Sequence, residues 1–284
     1  MPSIKKPEWL KVQIGTNQRY TNVKHIVDTY HLHTICGSGR CPNLGECWGN
    51  GTATFMIGGT ICTRSCKFCN TQSGKPFPLD LKEPENVATS IRLMKLKHAV
   101  ITSVDRDDLS DLGAEHWKKT ILAIKKQNPS TTIETLIPDF QGREELISMI
   151  IQAQPDIISH NLETVERISP AIRSVATYEQ SLKVIRYISE KSITTKSGIM
   201  VGLGETPEEV EQTMDDLLQN GCHILTIGQY LQPTAKHYPV FEYIHPKQFA
   251  LYKHIGEKKG FRCVESGPLI RSSYHAEKHI TYKE

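Results

Sequence analysis

The sequence predicts an α/β protein, a partial (β/α)6 barrel of the TIM type with extensions at both ends. Three observations carry this. From residue 53 onward, six short runs rich in β-branched and apolar residues alternate with stretches of helical period, the pattern of parallel strands joined by right-handed helical crossovers. The length of 284 residues suits a single barrel of this kind. No internal repeat, low-complexity tract or Pro/Gly/Ser linker divides the chain.

The elements follow in order. ATFMIGG (53–59) is the first strand and runs straight into the loop CTRSCKFCN (62–70). HAVITSV (98–104), TTIETLI (131–137), DIISHN (156–161), TTKSGIMVGL (194–203) and HILTIGQYL (223–231) are the next five. Helices are expected near 85–95, 113–127, 142–152, 177–191 and 206–220. The last has the clearest start: Thr206 suits an N-cap, Pro207 the first helical position, and Glu209 a capping box. Gly202, Gly204 and Glu205 then fall in a loop at the C-terminal end of a strand, the face on which barrel enzymes bind ligands and on which CTRSCKFCN is also expected. A tight strand-to-helix turn explains the glycines equally well. Ahead of the barrel, a helix from about Asn17 to His31 would place Tyr20, Val23, Val27 and Tyr30 on one stripe. ICGSGRCPNLGECWGNG (35–51) reads as irregular loop, and GPLIRSSYHAEKH (267–279) as polar and not a regular strand. The division expected is an N-terminal extension (1–52), the barrel (53–266) and a C-terminal segment (267–284).

Hydrophobic residues at 38% and charged residues at 23% mark an ordinary globular chain. No apolar run approaches the roughly 18 residues that span a bilayer, and MPSIKKPEWLKV has no apolar stretch behind its lysines, so neither an export signal nor a membrane is expected. A net charge of +3 is too small to argue for nucleic acid. The expectation is a cytoplasmic monomer. Eight cysteines in such a compartment point to metal binding or catalysis before disulfides. Six fall between positions 36 and 69, while Cys222 and Cys263 lie beside apolar runs and read as small buried hydrophobes. His160 and His275 are read as structural.

Cys62, Cys66 and Cys69 are spaced CxxxCxxC. Three thiolates can each take one iron of a cubane cluster and leave a fourth iron open to a small molecule. A structural zinc site would want a fourth ligand, and the next histidine downstream is His98, which favours the cluster. Cys36, Cys41 and Cys47, spaced CxxxxCxxxxxC, offer a second set of three, and the direct reading is a second cluster.

CxxxCxxC with an aromatic residue, Phe68, before the last cysteine resembles the signature of the radical S-adenosylmethionine superfamily. CxxxxCxxxxxC ahead of it is similar to the lipoyl synthase family, as are KPEWLK (6–11), CPNLGECW (41–48), ITSVDRDDL (101–109), SHNLETV (159–165), GIMVGLGET (198–206), LTIGQYLQPT (225–234) and GPLIRSSYHA (267–276). The resemblance runs across nearly the whole chain. It implies a [4Fe-4S] cluster on Cys62, Cys66 and Cys69 whose open iron binds S-adenosylmethionine and yields a 5′-deoxyadenosyl radical, with Phe68 near the adenine. It also implies an auxiliary [4Fe-4S] cluster on Cys36, Cys41 and Cys47, with Ser273 of RSSY as fourth ligand. Read from residues alone, Ser272 and Ser273 are turn or capping residues. As a ligand a serine oxygen is harder than a thiolate and easier to exchange, which suits a cluster that is consumed.

The implied activity inserts two sulfur atoms, at C6 and C8, into an octanoyl group amide-linked to a lysine of a lipoyl-domain or glycine-cleavage H-type carrier protein. Two S-adenosylmethionine are consumed and the auxiliary cluster supplies the sulfur. A ferredoxin or flavodoxin would supply electrons, and an iron-sulfur carrier protein would rebuild the cluster. Asn161, Glu163, Arg173 and Gly202, at strand ends, are candidates to orient the cofactor; ordinary surface or capping roles explain Asn161, Glu163 and Arg173 equally well. Two departures stand out: Leu112 where a second glycine is expected, and TSVD (102–105) where the superfamily often carries a GGE-like element. Other readings fare worse. A methylthiotransferase would require an appended RNA-binding domain after Glu284, and an electron carrier or zinc module would leave the barrel-length remainder unexplained.

Overall fold

The computed structural model describes residues 5–12 and 17–278. Met1 to Ile4, the start of the stretch read above as lacking an export signal, lie outside them. The chain divides into two compact units. One comprises Gln13–Ser65 and Asn70–Ile158, the other Met1–Val12, Cys66–Cys69 and Ser159–Glu284.

In the first of these units, α1 (Gln18–Thr29) starts where the Asn17 side chain accepts from the Tyr20 N–H, and it buries Val23 and Val27. Tyr20 and Tyr30, expected on the same stripe, are half-buried. β1 (His33–Thr34) pairs antiparallel with β2 (Thr54–Ile57), placing His33 opposite Met56. The segment between them holds α2 (Ile35–Ser38) and α3 (Leu44–Gly49) instead of the irregular loop expected. The reason is local: Thr34 caps the first turn by accepting from the Gly37 N–H at 3.3 Å, and the Asn43 carbonyl accepts from the Cys47 N–H at 2.8 Å. After β3 (Ile61–Cys62) and β4 (Gln72–Ser73), a short parallel pair, come α4 (Glu83–Met94), β5 (His98–Ser103), α5 (Ala114–Gln127), β6 (Thr132–Leu136), α6 (Glu144–Gln152) and β7 (Ile157–Ser159). β2, β5 and β6 are parallel neighbours, with Thr54 opposite Val100 and His98 opposite Thr132. All four residues of β2 are buried, as in a parallel strand covered on both faces. Ile91, Ile101, Trp117, Ile121, Ile133 and Ile150 are among the core side chains.

At Leu112 the chain takes φ 52°, followed by Gly113 at φ 86°. The turn thus demands the left-handed conformation that glycine supplies without strain, and the leucine adopts it nonetheless.

In the second unit, α7 (Ser169–Ile172), α8 (Tyr178–Ser189), β8 (Thr194–Val201), α9 (Pro207–Gln219), β9 (Ile224–Gln229), α10 (Pro246–Lys259) and β10 (Cys263–Gly267) follow in order. β8, β9 and β10 are parallel neighbours, with Ile224 opposite both Lys196 and Cys263. The capping box at α9 is present as expected, with Thr206 and Glu209 each satisfying the other's backbone N–H. The core gathers Leu162, Ile199, Val210, Met214, Leu225, Tyr230 and Phe249. Cys222 and Cys263 are buried hydrophobes. All six expected strands and all five expected barrel helices are found, and α10 and β10 are additional.

Candidate functional site

The first cysteine loop grows from a clamped turn. β2 gives way at Ile57 to Gly58, whose φ of 83° lets the chain turn away. Its N–H donates to Glu83 Oε2 at 2.8 Å, and its carbonyl accepts from Arg106 Nη1 at 3.1 Å. His116 Nε2 holds the same Glu83 oxygen at 2.6 Å, while Asp108 holds Arg106 through two bonds of 2.9 Å. Glu83, Arg106 and His116 are all buried, so the turn is fixed by charged groups with little exposure to screening.

Four residues on, Cys62 packs with Met56 and Val104. Its sulfur accepts from the backbone N–H groups of Arg64 (3.4 Å) and Asp105 (3.3 Å), and its S–H faces Asp105 Oδ2 at 3.5 Å. Burial, and then the Asp105 charge, push the free thiol up to about 12. Arg64, inside the CxxxC spacing, has a side chain only 5% exposed and reaches three carboxylates: Asp105 at 3.3 Å, Asp107 at 2.8 Å and Asp139 at 2.8 Å. Asp107 receives a two-pronged bond from Arg64 and another from Gln141. Burial opposes its ionisation, but these bonds outweigh that and hold it at about 2. Asp105, by contrast, is pushed upward by burial despite Arg64. Thr63 ties the web to the loop, donating to the Asp105 carbonyl (3.1 Å) or Asp107 Oδ2 (2.9 Å).

In the unit that holds Cys66–Cys69, the Lys67 N–H donates to the Ile172 carbonyl at 2.7 Å and the Lys67 carbonyl accepts from Tyr238 at 2.8 Å. Cys66 Sγ and Ser174 Oγ are 3.6 Å apart. His237 Nε2 donates to the Cys69 carbonyl at 3.0 Å, and Phe68 packs on the apolar core of this unit.

The second set starts at Cys36, buried on α2. Burial raises its thiol, while Thr54, through both its backbone N–H and its hydroxyl, favours the thiolate. Cys41 lies near enough for its charge to bear on Cys36, and its N–H donates to the Cys36 carbonyl at 3.0 Å. The Cys47 carbonyl accepts from the Thr52 N–H and hydroxyl at 2.9 and 3.0 Å. The two cysteine segments touch within this unit: Ile35 packs on the Met56, Cys62 and Val104 cluster, and Asn70 Nδ2 donates to the Ser38 carbonyl at 2.7 Å.

Among the remaining candidates, Asn161 is paired with Ser272, its amide donating at 2.9 Å and accepting at 3.2 Å. The RSSY segment lies close on β8 and β9: a Cβ on Gly198 would sit 3.0 Å from Ser272 Oγ, and one on Gly228 would sit 2.2 Å from the Ile270 carbonyl. Ser273 is the next residue and is half-buried. Glu163 holds a positive φ of 72°, with its backbone bonded to Gly198 and Met200. Arg173 donates to Ser181 Oγ (2.7 Å) and to the Leu162 carbonyl (3.4 Å). Gly202 takes φ 94°, and a Cβ there would lie 2.1 Å from Gln229 Nε2, so the turn itself demands glycine. Its N–H, with that of Leu203, donates to Glu205. His160 bonds Ser181 at 2.9 Å in a structural role.

Among the described residues, no three His, Cys, Asp or Glu are drawn together as the shell of a single metal ion. A cubane cluster asks for no such shell, because each thiolate takes a different iron. The surroundings of Cys62 and Cys36 fit that use: backbone N–H groups converge on both sulfurs, and N–H donors are what a cluster-bound thiolate accepts. Arg64, Asp105, Asp107, Asp139 and His237 were not among the residues read as functional. CTRSCKFCN contains Arg64, and ITSVDRDDL contains Asp105 and Asp107; those two segments were the available signals.

Residues 56–217, more than half the chain, match the model of the Radical SAM superfamily. The crystal structure of methylornithine synthase aligns with a TM-score of 0.58 at 12% identity, covering 91% of this chain and 85% of that one. That of Streptococcus suis SuiB bound to S-adenosylmethionine also gives 0.58 at 12%, covering 80% and 55%. At such identity these show the fold, and the partial barrel of α/β class expected from the sequence stands. A radical S-adenosylmethionine enzyme is the class that fold and cysteine loop define, with the [4Fe-4S] cluster and S-adenosylmethionine that membership implies. The lipoyl synthase of Phocaeicola vulgatus is 72% identical over 283 residues, covering 100% of both chains, and that of Bacteroides thetaiotaomicron is 70% identical over 277 residues, covering 98% of each. The chain belongs to the lipoyl synthase family, radical sulfurtransferases whose substrate is an octanoylated carrier protein. No helix among the described residues is long and apolar enough to cross a membrane.

Proposed function

We propose that the chain inserts two sulfur atoms, at C6 and C8, into an octanoyl group held on a lysine of a lipoyl-domain or glycine-cleavage H-type carrier protein. The observation that carries this is the packing of the two cysteine segments on one another, through Ile35 against Cys62 and Asn70 against Ser38. A sulfur source beside a radical source is what two insertions into one short chain require. Cys62, Cys66 and Cys69 hold the cluster that binds S-adenosylmethionine, and Cys36, Cys41, Cys47 and Ser273 hold the auxiliary [4Fe-4S] cluster. When bound, these groups supply a carbon-centred radical able to take hydrogen from an unactivated carbon, and the sulfur that replaces it.

The protein's own part is to hold and exclude. The Arg64 web fixes the backbone that carries Cys62, and the clamp on Gly58 fixes where the loop begins. Phe68 offers its ring to the adenine, while Asn161, Glu163, Arg173 and Gly202 line the strand ends where the rest of the cofactor would be oriented. The division of labour follows the chain: 1–52 carries the auxiliary cysteines, 53–266 the radical chemistry, and 267–284 the serine ligand that keeps one corner exchangeable. A ferredoxin or flavodoxin supplies electrons in the cytoplasm, and an iron-sulfur carrier protein restores the spent cluster.

The test is anaerobic incubation of reconstituted protein with an octanoyl-lysine peptide, dithionite and S-adenosylmethionine, with mass detection of sulfur. About eight irons per chain and a peptide gaining two sulfurs are expected. Zinc without sulfide, or 5′-deoxyadenosine with no sulfur gained, would sink the reading.

A further inference from the structure

We propose that His237 is a positioning residue for the radical cluster, its imidazole clipping the Cys69 end of the CxxxCxxC loop to the connection between β9 and α10. The inference rests on the reading of Cys66 and Cys69 as cluster ligands, and it adds a residue that neither cysteine motif contains.

Cys66–Cys69 is a short piece of chain closed into a turn by the Cys69 N–H, which donates to the Cys66 carbonyl at 3.0 Å. Two of its ties run from backbone to backbone: the Lys67 N–H donates to the Ile172 carbonyl at 2.7 Å, and the Tyr238 N–H donates to the Lys67 carbonyl at 2.8 Å. A third comes from a side chain. His237 Nε2 lies 3.0 Å from the Cys69 carbonyl, and because a carbonyl can only accept, Nε2 carries the hydrogen. Two successive residues of one connection, His237 and Tyr238, therefore hold the carbonyls on either side of Phe68. Phe68 and Tyr238 pack on the same apolar core, which keeps the two segments together.

The imidazole is aimed by its surroundings. Thr234 Oγ1 sits 2.8 Å from Nδ1 and accepts from the Lys236 N–H at 3.3 Å, which leaves its own hydrogen for the ring. The His237 N–H donates to the Thr234 carbonyl at 3.0 Å, and the His237 carbonyl accepts from Gln232 Nε2 at 2.9 Å. Just past β9, the hydroxyl of the buried Tyr230 donates to the Tyr238 carbonyl at 2.6 Å. A half-buried histidine serving only its own turn would be satisfied by Thr234 and water; here the second nitrogen is directed at the residue that carries a thiolate. Groups that orient metal ligands commonly cost 10–100-fold in metal affinity when removed. His237 acts one bond network further out, on the ligand's own peptide, so the lower end of that range is expected.

The experiment uses the full chain with Cys36, Cys41 and Cys47 replaced by alanine, reconstituted anaerobically, so that the iron counted belongs to the radical cluster. About four irons per chain are expected. Their loss to a chelator is then timed, and the thermal melt of each apoprotein is recorded beside it. His237→Phe, which keeps a ring and removes the donor, should lose iron about tenfold faster. His237→Gln, whose amide nitrogen reaches about as far as Nε2, should stay close to the parent, whereas His237→Asn falls short of the carbonyl and should follow the phenylalanine variant. Apoprotein melts of the Phe and Gln variants should agree. Iron loss at the parent rate in both His237→Phe and His237→Asn overturns the role of His237 and leaves the cluster reading intact. Equal acceleration in all three variants, glutamine included, overturns it as well, because the hydrogen bond would then not be what holds the cluster. A triple-alanine parent that takes up no iron overturns the radical-cluster reading, and this role with it.

Discussion

The two cysteine segments are built on different physics. Cys62 sits in a lattice of full charges, with Arg64 among three carboxylates and Glu83 and Arg106 gripping the turn before it. Cys36 and Cys47 sit on two helical turns of four and six residues, with Cys41 between them, and such turns are too short to hold by their own backbone bonds. Their order comes from neighbours: Thr34 as a cap, Thr54 on the next strand, Tyr20 on α1 and Asn17 at its cap. A loop that must present the same open iron at each turnover gains from a rigid charged frame. On the function proposed above, a segment whose cluster is dismantled and rebuilt would gain from local structure that opens at small cost.

Cysteine substitutions break the comparison most completely. Cys62→Ala should abolish both 5′-deoxyadenosine formation and sulfur transfer. Cys36→Ala should keep the former and lose the latter, as should Ser273→Ala. Each cysteine variant should lose about four of about eight irons on reconstitution. Chromatographic quantitation of deoxyadenosine beside mass analysis of the peptide separates the outcomes. Loss of both activities in Ser273→Ala would remove its place as a ligand of the auxiliary cluster alone.

The stability of the apoprotein tests the frames themselves. Arg64→Met leaves Asp105, Asp107 and Asp139 without their shared cation, and breaking a buried charge network of this kind costs about 3–5 kcal/mol. Thr34→Ala removes one cap from the other segment and should cost about 1 kcal/mol. Denaturant unfolding of the two variants should therefore differ severalfold. Equal losses would mean that the charged lattice contributes no more than a helix cap.

Acid should erase part of that difference. Asp107 is held at about 2, below its unfolded value of roughly 3.9, so its contribution is fully present above the unfolded value and disappears as pH falls through about 2. Asp107→Asn should be less stable than the parent at pH 7, with the gap closing between about pH 4 and 2. A gap that stayed constant through that window would show that shape, not charge, is what Asp107 supplies.

How much of this could be read in advance follows from the range of the forces involved. The six strands and five barrel helices repeat a local alternation and were legible. α10 was passed over because its buried side is thin, Phe249, Tyr252 and Gly256 among lysines, although Pro246 and Gly260 mark its start and stop. β10 owes its extended form to pairing with β9 more than to its own mixed CVESG. Thiolate spacing is local too, so both cysteine sets stood out. The charges around Arg64 did not, since Asp105, Asp107 and Asp139 reach it from two later strand ends. Leu112 looked like a departure, yet the backbone there keeps the glycine-like turn and tolerates the side chain. Asn161 was read as a cofactor candidate, and its contact with Ser272 depends on how the chain's last segment lies on β8, which no local pattern encodes.

The smallest expected effect probes the join between the two segments. Asn70, directly after Cys69, donates to the Ser38 carbonyl between Cys36 and Cys41. Asn70→Ala should cost only about 1 kcal/mol, the net worth of one hydrogen bond. Its consequence for turnover should be larger than that figure suggests, because radical formation needs the CxxxCxxC loop alone, whereas productive sulfur transfer also needs the second segment in register with it. Asn70→Ala should therefore form 5′-deoxyadenosine at close to the parent rate while raising the deoxyadenosine formed per sulfur inserted. Asn70→Asp, which keeps the size and loses the donor, should match it. If the ratio is unchanged in both, the packing of Ile35 on Cys62 is sufficient to align the segments, and the rigid loop does not depend on this bond to reach its softer neighbour.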